Sequence, residues 1–330
     1  MSYRNNKLDF LRVMSMIMVI IIHIANYYCR SFSDISKLSY LGALIFNTIS
    51  RISVPIFFMI SGATLLSKEY DKDKNRLRIK RKIITLIIIT IIYIVWDTYF
   101  MNKSIDIVNL LYKPERKLLW FMYAIIGIYI SLPFIKCMID NMGFREDRLF
   151  VVLWISFNGI LKYIGISDYF RIPIIDGTYY LGYFVIGYLI IKYSKEIEFK
   201  KKNWILILIT ILSFMIVITI TYIISINNSK HFTGLLTYSN LFIIISSISS
   251  FIFIYFNIKD ISNPIIYKLS YLSFGIYLTH GILLNLIMYY IPYNNINSFI
   301  GIPIILIIIL VFSCLIITLI KKNKFIKDYF

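Results

Sequence analysis

The sequence predicts an all-α polytopic membrane protein with about ten transmembrane helices and both termini cytoplasmic. Three observations carry this. Hydrophobic residues make up 59% of the 330 residues and charged residues only 16%, with a mean hydropathy of +0.76. A soluble domain has roughly 45–50% apolar and about 25% charged residues, and one core could not hide this much Ile, Leu and Phe. The apolar residues fall in continuous runs of spanning length, about 20 residues each, rather than alternating as in a β-barrel. The basic residues collect in the connections between those runs, mostly on alternate ones, which is the pattern of membrane orientation.

The same numbers exclude other classes. Disorder does not fit so apolar a chain. Cys29, Cys137 and Cys314 are scattered and odd in number, so neither a disulfide framework nor a cysteine metal site is expected. The net charge of +18 is explained by orientation and does not call for nucleic acid. Residues 13–25 resemble a signal-peptide core, but no small-residue cleavage site follows, so the first helix is expected to be retained. No repeat stands out. Residues 1–330 are expected to form a single transmembrane domain with no separate soluble domain.

In chain order, the apolar runs fall near 9–28, 43–66, 82–100, 118–138, 149–166, 178–192, 204–226, 238–257, 271–291 and 299–320. The sixth is the shortest. With the N-terminus inside, 24 Lys and Arg lie in inner segments and 8 in outer ones, the latter including Arg30 and Lys230. Arg12, Arg51 and Lys162 lie within runs.

Ionisable groups inside spans are expensive and mark function by default. Arg12 and His23 lie on the first run, 11 residues apart. At about 100° per residue they share one face, offset by ~20°, with a rise of about 16 Å. Arg12 then lies near the inner surface and His23 in the outer half. Asp9 is three residues before Arg12 and in reach of it. Arg51, on the second run, comes to a depth similar to His23. Pro55 follows and is expected to kink that helix beside a cavity; Ser61 and Gly62 come next, the glycine allowing close helix approach. Each of these has a plainer reading: His23 as an interhelical hydrogen-bonder, Arg12 as a residue reaching the inner headgroups.

The run Arg76–Lys82 is either an inner-surface anchor or an electrostatic seat for a polyanionic cytosolic ligand, with Lys80, Arg81 and Lys82 as the contacts. Trp120, Tyr123, Tyr129 and Pro133 are either an interfacial aromatic belt or a cavity wall. Gly182, Tyr183, Gly187 and Tyr188 read as packing residues. His280 reads equally as a structural hydrogen-bonder or a pocket residue.

These segments resemble the membrane-bound acyltransferase family 3. Leu8-Asp9-Phe10-Leu11-Arg12, ten residues and then His23 is similar to the family's first element. Arg51-Ile52-Ser53-Val54-Pro55-Ile56-Phe57-Phe58-Met59-Ile60-Ser61-Gly62 resembles its R-x-x-V-P-x-F-F-x-x-S-G element. Leu119-Trp120-Phe121 through Tyr129 and Pro133, and Ser273-Phe274-Gly275-Ile276-Tyr277-Leu278-Thr279-His280, resemble two weaker ones. The resemblance implies transfer of an acyl group, usually acetyl, to a hydroxyl of a surface carbohydrate. Some relatives carry an extra extracytoplasmic domain. This chain ends ten residues after the last run, so the nearer analogy is to single-domain relatives acting on cell-wall or capsule-type glycans.

The chemistry fits the residue types. Moving acetyl from a thioester to an alcohol needs a base, a role for which His is the usual choice. It also needs positive charge where the oxyanion develops. His23 is the expected general base, and Arg51 the residue that stabilises the oxyanion or grips the acceptor. Acetyl-CoA is the expected donor, its phosphates held by Arg12, Lys80, Arg81 and Lys82, with Ser61, Trp120, Tyr123 and His280 in the substrate pocket and no metal. A covalent acyl-His23 variant and a transporter or flippase for a glycan or small solute remain open alternatives, as does a non-catalytic subunit. The expected partners are the lipid bilayer, a cell-surface glycan and proteins of glycan biosynthesis. The isoleucine-rich composition, with Lys favoured over Arg, is that of a low-GC bacterial genome and points to a bacterial plasma membrane.

Overall fold

A computed structural model describes residues 5–100, 117–161, 179–194, 203–258, 263–324 and 326–330. The described residues are helical and include no strand. In chain order the α-helices are α1 (Asn6–Arg30), α2 (Lys37–Ser50), α3 (Ser53–Leu65), α4 (Lys72–Tyr99), α5 (Trp120–Asp140), α6 (Phe144–Ile155), α7 (Tyr179–Lys192), α8 (Asn203–Asn227), α9 (Leu241–Asn257), α10 (Pro264–Tyr290) and α11 (Ser298–Ile320). A π-helical turn, Ser156–Leu161, continues α6.

Six stretches among the described residues are long and apolar enough to cross a membrane: α1, α2 with α3 taken together, α5, α8, α10 and α11. α7 and α9 are apolar but shorter. The runs expected at 82–100 and 149–166 correspond to parts of α4 and of α6 with its π turn, and residues 162–166, including Lys162, lie outside the described residues, as do the loop cations Lys103, Lys113, Arg116 and Arg171. The basic run is part of a helix rather than a connection: Arg76–Lys82 lies in the first half of α4, whose N-cap Asp71 accepts from the Lys74 amide at 2.9 Å.

The second run, read as one span, is two helices. The cause is Pro55 in the first turn of α3, where its missing N–H costs little but its ring excludes a continuing helix. The Arg51 amide turns back to the Thr48 carbonyl at 3.1 Å, and α3 restarts at Ser53. Arg51 therefore stands at a helix junction, not inside a helix.

α1 is the centre of the bundle, touching α2, α3, α9, α10 and α11. α3 and α7 are the most closely packed pair. A Cβ on Gly62 would run into the backbone of Phe184, and one on Gly187 into the backbone of Met59. Small residues let helix backbones touch where lipid offers no hydrophobic drive for association. At the other extreme, α8 exposes Leu208, Ile211, Leu212, Met215 and Ile223, an apolar face that suits lipid rather than water.

Candidate functional site

The face of α1 predicted from the 11-residue spacing faces a cavity. Asn5 caps the helix, accepting from the amides of Lys7 and Leu8. Arg12, Val19, His23, Asn26, Tyr27 and Arg30 then line a cavity of about 680 Å³. From Arg12 to Arg30 is 18 residues, five full turns and about 27 Å of rise. That is close to the thickness of a bilayer's hydrocarbon core, about 30 Å.

At the Arg12 end, the guanidinium lies 2.6 Å from Asp9 and donates to Ser270 Oγ at 3.0 Å, while Ser270 donates to Asp9 at 2.7 Å. This triangle ties α1 to α10 and satisfies a charge pair that would be costly if left unpaired. Lys82, from α4, lines the same cavity with its ammonium 3.1 Å from the centre of the Phe274 ring, a cation–π contact.

At the other end, Arg51 donates from Nε to Asn47 Oδ1 at 2.9 Å, and Asn47 donates to Asn26 Oδ1 at 2.7 Å. This chain of amides fixes the guanidinium against α1, and its carbon lies 5.8 Å from the centre of the Tyr238 ring. Tyr27 donates to Asn285 Oδ1 at 2.7 Å. An aromatic wall closes the flank. Trp120 stacks on Tyr180 at 5.0 Å, Tyr180 on Phe58 at 4.8 Å, and Phe121 meets Tyr277 edge-on at 5.6 Å. Tyr277 is itself held by a hydrogen bond to the Leu118 carbonyl at 2.6 Å.

The cavity thus brings together Arg12, His23, Arg51, Lys82, Ser61 and Trp120 from four segments far apart in sequence. The family model of an acyltransferase domain matches residues 5–320. The chain belongs to acyltransferase family 3. It is a multi-pass membrane acyltransferase. No curated protein and no solved structure matches it.

Four of the expected site residues lie outside the cavity lining of this family member. Lys80 and Arg81 are exposed on α4, Arg81 pairing with Asp328 at 3.3 Å. The helical period explains this, because neighbours of Lys82 at one and two residues' spacing point away from its face. Tyr123 is exposed. His280 is fully buried, with its ring centre 5.2 Å from that of His23. A smaller cavity of about 120 Å³ opens near the Arg12 end, sharing Leu65 with the large one and lined by Lys68, Lys74, Arg78 and Lys136 together with Glu69 and Asp71, Lys74 pairing with Asp71 and Lys136 with Asp140.

Sequence reasoning missed Asn26, Arg30, Tyr238 and Asn285, all of which line the cavity. A signal existed for Arg30: 18 residues after Arg12 is an integral number of turns. Tyr238 and Asn285 carry no such signal, because only the packing of α9 and α10 against α1 brings them in.

Proposed function

We propose that this protein transfers an acyl group, acetyl in the simplest case, from cytosolic acyl-CoA to a hydroxyl of an extracytoplasmic carbohydrate. The observation that carries the reading is the cavity's axial order. It has cations Arg12 and Lys82 at one end, His23 further along, and Arg51 and Arg30 towards the other. The bundle is read as about ten spans, with both termini and the Arg12 end cytoplasmic, following the excess of Lys and Arg on that side.

In this reading the CoA phosphates meet Arg12 and Lys82, with Lys68 and Arg78 of the smaller cavity close by, where charge-assisted hydrogen bonds hold them. The thin pantetheine arm runs along α1 and presents the thioester near His23. His23 takes the proton of the acceptor hydroxyl as its oxygen attacks the thioester carbonyl. The oxyanion forms near Arg51, whose guanidinium is held in place beforehand by Asn47 and so needs little reorganisation. Collapse breaks the C–S bond, and the departing CoA thiolate recovers the proton from His23. The aromatic wall of Trp120, Phe121 and Tyr277 keeps water from the thioester. His280, buried behind His23, is a positioning residue. A membrane-embedded chain reacting a cytosolic donor with an outer acceptor is an acyl relay, and a bacterial plasma membrane is the setting that fits the composition.

The test is transfer across sealed inverted membrane vesicles holding the full chain. Acetyl-CoA labelled in its acetyl group is supplied on the cytoplasmic face. Alkali-labile label in glycan on the opposite face is the expected result. Absence of both glycan label and CoA release overturns the reading.

A further inference from the structure

The end of the cavity beyond His23 carries two guanidiniums and, among the described residues, no carboxylate. Arg30, on the last turn of α1, and Arg51, at the α2–α3 junction, both line it. Among the described residues neither guanidinium makes an ion pair with a carboxylate. Arg51 uses Nε on Asn47, which leaves its two terminal nitrogens to form a fork. Asn26 and Asn285 each commit the side-chain oxygen, to Asn47 and Tyr27 respectively. Each oxygen thus already accepts one hydrogen bond. The lining as a whole includes Arg12, Arg30, Arg51 and Lys82 and no Asp or Glu among the described residues.

A neutral sugar alternates donors and acceptors and gives no compensation to a pair of fixed positive charges. Two guanidiniums with no carboxylate beside them among the described residues match an oxyanion, because such bonds are charge-assisted and bidentate. Both guanidiniums also act on His231 in the loop before α9, where burial and then the two positive charges hold its pKa down at about 4. They therefore converge on one region.

We propose that this end of the cavity recognises an acceptor through an anionic group, a carboxylate or a phosphate ester, gripped by Arg30, while Arg51 beside it serves the oxyanion. The inference rests on the acyltransferase reading and narrows its acceptor to acidic glycans or polyol-phosphate chains. Binding the anion there leaves a neighbouring hydroxyl of the same acceptor to approach His23.

The experiment uses the full chain in proteoliposomes with acetyl-CoA labelled in the acetyl group and matched acceptors. These are a hexuronic-acid oligosaccharide, its carboxyl-reduced neutral counterpart and a glycerol-phosphate oligomer. At least one anionic acceptor is expected to exceed the neutral one in kcat/KM by roughly tenfold or more, the scale of one charge-assisted hydrogen bond. Which of the two wins identifies a carboxylate or a phosphate. Arg30→Gln is expected to shrink that preference by raising KM for the anionic acceptor, and Arg30→Lys, which keeps the charge but not the fork, to retain part of it. Equal transfer to the neutral and anionic acceptors overturns the inference and leaves the transferase intact. CoA release with no transfer to either anionic acceptor also overturns it. Absence of both transfer and CoA release strikes the acyltransferase reading itself.

Discussion

His23 on α1 and His280 on α10 place their rings 5.2 Å apart, tilted by 43°. His280 Nδ1 lies 2.6 Å from the Tyr277 carbonyl, which can only accept, so Nδ1 carries the proton. Nε2 is then an acceptor, buried and without a partner among the described residues, beside the ring that lines the cavity. A proton donated by His23 would satisfy it and fix which nitrogen of His23 faces the substrate. His280→Phe is expected to lower kcat about 10²-fold through misplacement of His23, with KM for acetyl-CoA little moved. His280→Gln, which keeps an acceptor, should recover part of the loss and shift the pH–rate profile. Equal kcat for the Phe variant and the wild type would remove His280 from the site.

The triangle of Asp9, Arg12 and Ser270 holds α1 to α10. Asp9→Ala removes the carboxylate that closes the triangle and is expected to cost roughly 1–3 kcal/mol, read as a lower Tm in detergent. Arg12→Gln should instead raise KM for acetyl-CoA, and dephospho-CoA thioesters should feel that change less.

Backbone contact between α3 and α7 sets a steric limit. Gly62→Leu is expected to prevent the bundle from assembling, because the Phe184 backbone occupies the space a side chain would need. Gly127 has open space around its would-be Cβ, so Gly127→Ala should leave accumulation intact and raise stability by about 0.5–1 kcal/mol. Normal accumulation of the Gly62→Leu protein would contradict the packing.

His231 lies 2.9 Å from the Tyr40 hydroxyl. Its folded pKa of about 4 lies below the 6.5 of the free group. Between those values the unfolded chain binds the proton and the folded one resists it, so stability is full above pH 6.5 and falls as the pH drops towards 4. Thermal unfolding in detergent across that window should show the decline, and His231→Gln should flatten it. An identical slope in both proteins would assign the dependence elsewhere.

How much of this was legible depended on which distances a single helix controls. Arg12 and His23 lie on one helix face, so the 11-residue spacing alone placed both on a common surface, and the continuous apolar runs announced a helical membrane protein. Pro55 announced a disturbance, and the helix break at Arg51 is its consequence. The basic run was harder. Seven residues of one helix point in all directions, so Lys82 faces the cavity while Lys80 and Arg81 face away. His280 carried no signal for its depth, because its place behind His23 depends on how α10 packs on α1. Asn285 and Tyr238 are likewise products of packing between segments remote in sequence.

The central claim is that acyl transfer runs through this cavity on His23. The most direct measurement compares wild type and His23→Ala, at matched protein amounts in proteoliposomes, for transfer of labelled acetyl from acetyl-CoA to the acceptor glycan. Loss of at least about 10²-fold in kcat, the scale of a general base, with acetyl-CoA still protecting the variant against thermal unfolding, is the expected result. Full transfer by His23→Ala would contradict the account.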